Sequence, residues 1–271
     1  MRGEAARWWA IRAVAIAVYL FLFAPVAVVM LLAFNSSQFG GFPIEGLSLR
    51  WFERLAENEA ILRAFRTSLI LGVATAVIAT TLGVLAALAL VRYRFRGNDA
   101  VTMLLISPVL VPETVLAVGL LLFIRWLATP HSFALLLLGH TIIALPFVVL
   151  VVQARLVGIR SDCEEAARTL GAGPFETFRQ VTLPLLMPAV FAGALFAFTI
   201  SFDNITATIF WRPPGVETVP TQIFGMLRHS VSPEINALGF VMIVVTVGLP
   251  LAAAALARAF ARGPRKRPPH T

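Results

Sequence analysis

The chain has 271 residues, of which 59% are hydrophobic and 13% charged, with a formal net charge of +8 and a mean hydropathy of +0.86. A soluble domain carries about 25% charged residues, so this composition excludes one and calls for an integral membrane protein with several spans. The basic residues fall between apolar runs rather than along one face, which excludes a nucleic-acid-binding stripe, and the single Cys163 excludes an internal disulfide.

Crossing the hydrocarbon takes about 20 apolar residues. In chain order, residues 13–34, 67–91, 100–124, 132–154, 186–210 and 235–257 qualify, which predicts six spans. The first follows Arg2, Arg7 and Arg12, as a signal peptide would. Its apolar stretch is too long for a signal peptide, so a retained anchor is expected. The loop after it carries Glu45, Glu53, Glu57 and Glu59. The second span has Gly72, Ala76, Ala79, Thr80, Gly83 and Ala87, many of them four apart, a spacing that predicts close packing against another helix. The third contains Pro108, Pro112 and Glu113, and the fourth has His140 near its start, expected to be a packed histidine and not a ligand. The fifth carries Asp203 and Asn204, with Trp211 just beyond it. After the sixth comes the tail "RGPRKRPPH", whose charge suits anionic lipid. Trp8, Trp9, Trp51, Trp126 and Trp211 all lie near span ends and predict an interfacial belt. No His, Cys or acid cluster has the spacing of a metal site.

Orientation follows from the basic residues. With the N-terminus inside, the inner segments hold Arg2, Arg7 and Arg12; Arg92, Arg94 and Arg96; Arg155, Arg160, Arg168 and Arg179; and Arg258, Arg262, Arg265, Lys266 and Arg267. These are 15 of the 22 Lys and Arg residues, so both termini and the fourth loop are expected in the cytoplasm.

That loop, "SDCEEAARTLGAGPFETFRQVTLPLLMP", interrupts two apolar runs. Ser161 and Glu164 have capping-box spacing, and Asp162, Glu164 and Glu165 suit the positive end of a helix dipole. Gly171 stands where a left-handed C-cap is needed. Pro174 can open a second helix, which carries Phe175, Phe178 and Val181 at three-residue spacing, and Leu183-Pro184 is expected to end it. The loop therefore predicts a short helix, a glycine elbow and an amphipathic helix.

Glu165-Ala166-Ala167, Gly171 four positions later and Val181-Thr182-Leu183-Pro184 form the pattern E-A-A-x3-G-x9-V-x-L-P. It resembles the EAA loop of the membrane subunits of binding-protein-dependent ABC importers, with Val181 where the family usually has isoleucine. The resemblance implies a coupling helix that docks in a groove of an ATPase subunit. Glu164, Glu165, Ala166, Ala167, Gly171, Leu183 and Pro184 are the residues it assigns to that joint. It also implies two ATPase subunits, a second permease subunit and an extracytoplasmic solute-binding protein, in a bacterial inner membrane. No G-x-x-x-x-G-K-[ST] stretch occurs, so ATP hydrolysis is expected in a partner. The chain itself is expected to be no enzyme and to hold no cofactor.

Further stretches are similar to the second membrane subunit of spermidine/putrescine-type importers: "LSLRWFERLAENEAILRAFRTSL", "ALVRYRFRG", "PVLVPETVLAVGL" and "SFDNITATIFWRPP" with "VPTQIFGMLRHSVSPEINAL". Glu113 and Asp203 are the two carboxylates that interrupt the spans. A charged side chain there costs roughly 2.5–3.5 kcal/mol, so such residues usually have a task. At a rise of 1.5 Å, Glu113 lies about 20 Å and Asp203 roughly 25 Å from the inner ends of their spans, one shared level. Two buried acids suit an ammonium-bearing solute. The substrate path is therefore expected at Glu113, Asp203 and Asn204, with Trp211 able to stack on a cation at the outer gate.

Several alternatives remain at this level. Pro108 and Pro112 can break the third span and make Glu113 a first-turn acid. Asp203-Asn204 can cap a short outer helix, and either acid can pair with a basic group of another subunit. The solute can also be opine-like, a phosphonate or ferric iron, or the chain a secondary carrier. The expected fold is an all-α integral membrane protein with six transmembrane helices and the ABC importer permease fold. Residues 1–62 make the N-terminal tail, first span and outer loop, 63–257 the permease core, and 258–271 the basic tail.

Overall fold

The computed structural model describes residues 2–38, 41–229 and 232–261, so the end of the basic tail, 262–271, lies outside the described residues. The described chain is helical: α1 (Arg2–Leu32), α2 (Arg50–Glu57), α3 (Glu59–Arg92), α4 (Asn98–Leu110), α5 (Glu113–Trp126), α6 (Phe133–Val157), α7 (Asp162–Thr169), α8 (Pro174–Thr177), α9 (Leu183–Phe202), α10 (Thr206–Trp211), α11 (Val219–His229), α12 (Glu234–Ile243) and α13 (Leu249–Ala261). Short π-helical turns join α8 to α9 over Phe178–Thr182 and α12 to α13 over Val244–Gly248.

Among the described residues, five continuous helical stretches are long and apolar enough to cross a membrane: Arg7–Leu32, Glu59–Arg92, Phe133–Val157, Pro174–Phe202 and Glu234–Ala255. The third expected span is not one rod. It is α4 and α5, bent by 108° at the break between them. The cause is local. Pro112 pushes the residue before it out of helical conformation, and Val111 sits at φ −88°, ψ 129°. The chain restarts with Glu113 in the first turn of α5. The fifth span also ends earlier than 210, at Phe202, and α10 is a separate short helix.

Leu183-Pro184 does not end a helix, contrary to the expectation from sequence. Proline is tolerated in a first helical turn, where its missing N–H leaves no bond unmade. Here a π turn carries the chain into α9, with the Leu183 N–H donating to the Phe178 carbonyl and Pro184 in the first turn of α9.

The chain divides into two compact units. In the first, Met1–Leu62 with Gln222–Val245, the rings of Phe34, Phe52 and Phe240 meet at 5.1–5.6 Å between centroids. Trp51 is buried there, its indole N–H donating to the Asn35 carbonyl at 2.7 Å. Arg50 and Arg54 lie over its ring at 4.6 and 5.0 Å.

The second unit, Arg63–Thr221 with Thr246–Thr271, has α6 and α9 at its centre. Lipid tails are as apolar as leucine, so spans hold together by close contact more than by release of water. Small residues supply that contact. Ala79 and Ala87 of α3 are buried with Ala144, Val148 and Val152 of α6 and Leu186 and Ala197 of α9. A Cβ on Gly83 would come within 2.6 Å of Val148. The tightest such site is Gly139 on α6, where an added Cβ would meet the Trp211 ring at 2.2 Å. Trp211 is fully buried against Leu71, Ala117 and Leu136, and the ring has nowhere to retreat. Overpacking of this kind costs about 1–3 kcal/mol or more. Gly139→Ala should therefore strongly reduce the amount of folded subunit recovered from membranes, measured by immunoblot and by the melting temperature of the purified complex. Gly119→Ala, with nothing near its added methyl, should not.

Candidate functional site

The break before α5 and the end of α9 bring the two acid-bearing segments together. The Asn204 side-chain amide donates to Glu113 Oε1 at 2.6 Å. Its own oxygen accepts from the backbone N–H groups of Ala207 and Thr208 at 3.1 and 3.3 Å, in the first turn of α10. Asn204 thus caps α10 and anchors Glu113 in one act. Both local alternatives read from the sequence, a first-turn Glu113 and a cap ahead of a short helix, describe this structure. They do not compete with a shared site, because the cap is what joins the two acids' segments.

Glu113 and Asp203 are both exposed on the isolated chain, whereas Asn204 between them is buried. Among the described residues the Asp203 carboxyl group has no hydrogen-bond or ion-pair partner in the chain. The site therefore presents one tethered acid and one untethered acid, separated along the surface by a buried amide. Such a pair can accept an ammonium group from outside the chain and donates little itself.

Trp211 does not share the exposure of the two acids. It is fully buried, its indole N–H donates to the Ala117 carbonyl at 2.8 Å, and the ring packs on Gly139. The expectation that it stacks on a solute is corrected, as is its place in an interfacial belt. Trp8, Trp9 and Trp126 are exposed, as a belt requires, while Trp51 is buried. His140 is a packed residue, as the sequence indicates, bonded at both ring nitrogens to Ser201 and Thr208.

Beyond α10, Arg212 and Glu217 form an ion pair, and Thr221 donates to Glu217 Oε2 at 2.6 Å. Burial alone would raise the Glu217 carboxyl. The hydrogen bonds from Arg212 and Thr221, with the Arg212 charge, outweigh it and hold the group below the ordinary glutamate value.

The loop with the E-A-A pattern is a second candidate site. Helix α7 covers Asp162–Thr169, and Gly171 follows at φ +91°, where only glycine sits without strain. The chain turns there, and Pro174 opens α8. The capping box at Ser161 is not formed: Ser161 is itself helical and its side chain makes no cap bond. Glu164 turns inward instead. It is 8% exposed, its Oε1 lies 3.1 Å from Arg92 Nη2 and 3.2 Å from Arg92 Nε, and Thr182 donates to it at 2.9 Å. Arg92 also donates to the Ile159 carbonyl at 3.2 Å. One carboxyl group thus ties α7 to the end of α3 and to the turn that leads into α9. A cleft of about 490 Å³ lies between these elements, lined by Leu88, Arg92, Glu164, Glu165, Arg168 and Phe178 among others.

Glu165, Ala166 and Arg168 are exposed. So are Leu170 at 89% and Phe175 at 73%, two large apolar side chains in an otherwise polar segment. Leu183 is half-buried and Pro184 exposed at the start of α9. No group of three or more His, Cys, Asp or Glu side chains arranged to hold a metal ion occurs among the described residues.

Residues 79–266 match the family of the binding-protein-dependent transport system inner membrane component. The chain is 38% identical over 247 residues to the spermidine/putrescine transport system permease protein PotC of Escherichia coli strain K12, covering 91% of this chain and 93% of that protein. The putrescine transport system permease protein PotI of the same strain is 34% identical over 238 residues, with 85% and 84% covered. Among solved structures, a bacterial ABC transporter involved in the import of the acidic polysaccharide alginate aligns with a TM-score of 0.74 over 94% of this chain and 97% of that one. Its 18% identity makes that a likeness of fold. With the family matched over most of its length and helices able to span a bilayer several times, the chain belongs to the inner membrane permease components of binding-protein-dependent ABC importers.

Proposed function

We propose that this chain is one of two permease subunits of an ATP-driven importer for linear polyamines such as spermidine and putrescine. The observation that carries the reading is the pair of exposed acids, Glu113 held by Asn204 and Asp203 next to Asn204 in the chain. An importer of cations needs acceptors without internal countercharge along its path. The likeness to two permeases named for these amines supports the same solute class. A second, related permease subunit would cover these acids and complete the path.

Loop 161–184 is the joint to the ATPase in this reading. Glu165, Ala166, Ala167 and the turn at Gly171 present α7 to a groove on the ATPase, with Leu170 and Phe175 as apolar contacts. Glu164 serves the inner side of the joint. Through Arg92 and Thr182 it passes movement of α7 to α3 and α9, so that ATP-driven closure alternates access to the acids. Leu183 and Pro184 set the rigid entry into α9. Two ATPase copies lie below, both termini of this chain are cytoplasmic, and a soluble binding protein delivers solute from outside. The chain itself does no chemistry and holds no cofactor.

Uptake of labelled spermidine and putrescine tests this in cells deprived of their own polyamine importers and supplied with this chain, its ATPase, its second permease and its binding protein. Saturable uptake that requires all four components is expected. An assembled complex that takes up neither amine would remove the solute assignment and leave the family unchanged.

A further inference from the structure

Behind the contact between Asn204 and Glu113 lies a line of buried polar groups with no part in the joint to the ATPase. His140 on α6 is 1% exposed. Its Nδ1 lies 2.8 Å from Ser201 Oγ on α9, and Ser201 lies 3.2 Å from Thr75 Oγ1 on α3. Its Nε2 lies 3.0 Å from Thr208 Oγ1 on α10. The Thr208 hydroxyl donates to the Asn204 carbonyl at 2.8 Å, and the Thr208 N–H donates to Asn204 Oδ1 at 3.3 Å. Asn204 then donates to Glu113. One imidazole therefore joins α3, α6, α9 and α10, and it reaches the acid at the head of α5 through two residues.

The Thr208 hydroxyl is the joint of this line at its outer end. Thr208 has one hydroxyl proton, and the Asn204 carbonyl takes it. His140 Nε2 faces the same hydroxyl oxygen, and the tautomer of the ring sets which of the two donates. Without that contact, a buried hydroxyl loses its partner and Thr208 is free to turn toward another one. Turning Thr208 releases the Asn204 backbone carbonyl and so loosens the segment that carries the side-chain amide bonded to Glu113.

We propose that His140 is a positioning residue of the transport path. Through Thr208 it fixes Asn204, and through Asn204 it sets the Glu113 carboxyl group where an ammonium group of the solute meets it. The inference rests on the reading of Glu113 as a solute contact. A histidine that only filled space would be served equally by side chains of similar bulk and polarity. One that acts through Nε2 would not.

Two conservative variants separate these cases. In His140→Gln the end of the side-chain amide can overlay Nε2 and, as donor or acceptor, still bond to Thr208. In His140→Asn the amide reaches only as far as Nδ1 and meets Ser201 alone. Uptake KM and Vmax are measured for the assembled four-component importer, normalised to the amount of this chain in the membrane. His140→Asn is expected to raise KM about tenfold, the scale of one lost hydrogen bond to a charged group, with Vmax per complex little changed. His140→Gln restores KM to about twice the wild-type value or less. Adding Asn204→Ala to His140→Asn produces little further change, because both act on one line. Equal behaviour of the two variants, or effects of His140→Asn and Asn204→Ala that multiply, would overturn the proposal. Wild-type uptake of spermidine and putrescine decides the solute class separately, before any variant is compared. The melting temperatures of the purified complexes repeat the His140 and Asn204 comparison without solute. There too a less-than-additive loss is expected, and strict additivity would count against the link.

Discussion

Glu113→Gln and Asp203→Asn, made together, abolish saturable amine uptake while the subunit still reaches the membrane and assembles. Each change alone is expected to raise KM by roughly ten- to a hundredfold, since a hydrogen bond between charged groups is worth about 1.5–3 kcal/mol. Glutamine at 113 retains the side-chain oxygen that accepts from Asn204 at 2.6 Å, so the variant removes charge and little geometry. A competing role as a first-turn acid on α5 is worth only about 0.3–1 kcal/mol at an exposed helix end. It would show as a small loss of stability with KM unchanged. Neutral side chains also cost less to place in a span than charged ones, so abundance in the membrane should not fall. Unaltered abundance with lost affinity assigns the acids to the solute; the reverse pattern assigns them to the helix.

Glu164→Leu is expected to uncouple ATP hydrolysis from uptake. The Glu164 carboxyl group is the shared partner of Arg92 and Thr182, with only 10% of its side chain exposed, against 20% for Arg92. Removing one member of a buried pair strands the other. The full cost of doing so is about 3–5 kcal/mol, and access of water to Arg92 brings it down to roughly 2–3 kcal/mol. Arg92 keeps its bond to the Ile159 carbonyl, so the loop is loosened and not lost. The complex should hydrolyse ATP at a rate near that of the wild type but import several-fold less solute per ATP. Replacing both Arg92 and Glu164 by leucine removes the stranded charge and should recover stability without recovering coupling. Paired measurements of ATPase rate and uptake on the same vesicles check this. A Glu164→Leu complex with an unchanged ratio of uptake to hydrolysis would mean that the ion pair plays no part in transmission.

These expectations draw on features that were unequally legible in the sequence. The spans follow from apolar length, which is a local property. So does the turn at Gly171, where a positive φ selects glycine. The break before α5 was also legible, because Pro112 acts on its immediate neighbour. Glu164 was not. A serine followed by an acid three residues later describes a capping box as well as it describes an acid turned inward to an arginine 72 positions away. Only the packing of α3 against the loop decides between them. Trp211 misled for a similar reason: a tryptophan near a span end suits an interface, and its burial depends on the missing side chain of Gly139 on another helix. The two carboxylates were legible as the acids that interrupt the apolar spans. The amide that joins them was not, since nothing local distinguishes Asn204 as a cap from Asn204 as a bridge, and it is both. The line from His140 to Glu113, together with its branch through Ser201 to Thr75, touches five separate helices, and no single stretch of sequence contains it.

The central claim, that this chain forms part of an ATP-driven path for polyamine cations lined by Glu113 and Asp203, is tested most directly in vesicles. The four-component importer is reconstituted with ATP trapped on the ATPase side and binding protein loaded with labelled spermidine on the other. Spermidine should accumulate inside against its gradient with trapped ATP and not with a non-hydrolysable analogue. The Glu113→Gln, Asp203→Asn complex should hydrolyse ATP without accumulating spermidine. Accumulation by that variant at the wild-type rate and KM would contradict the account.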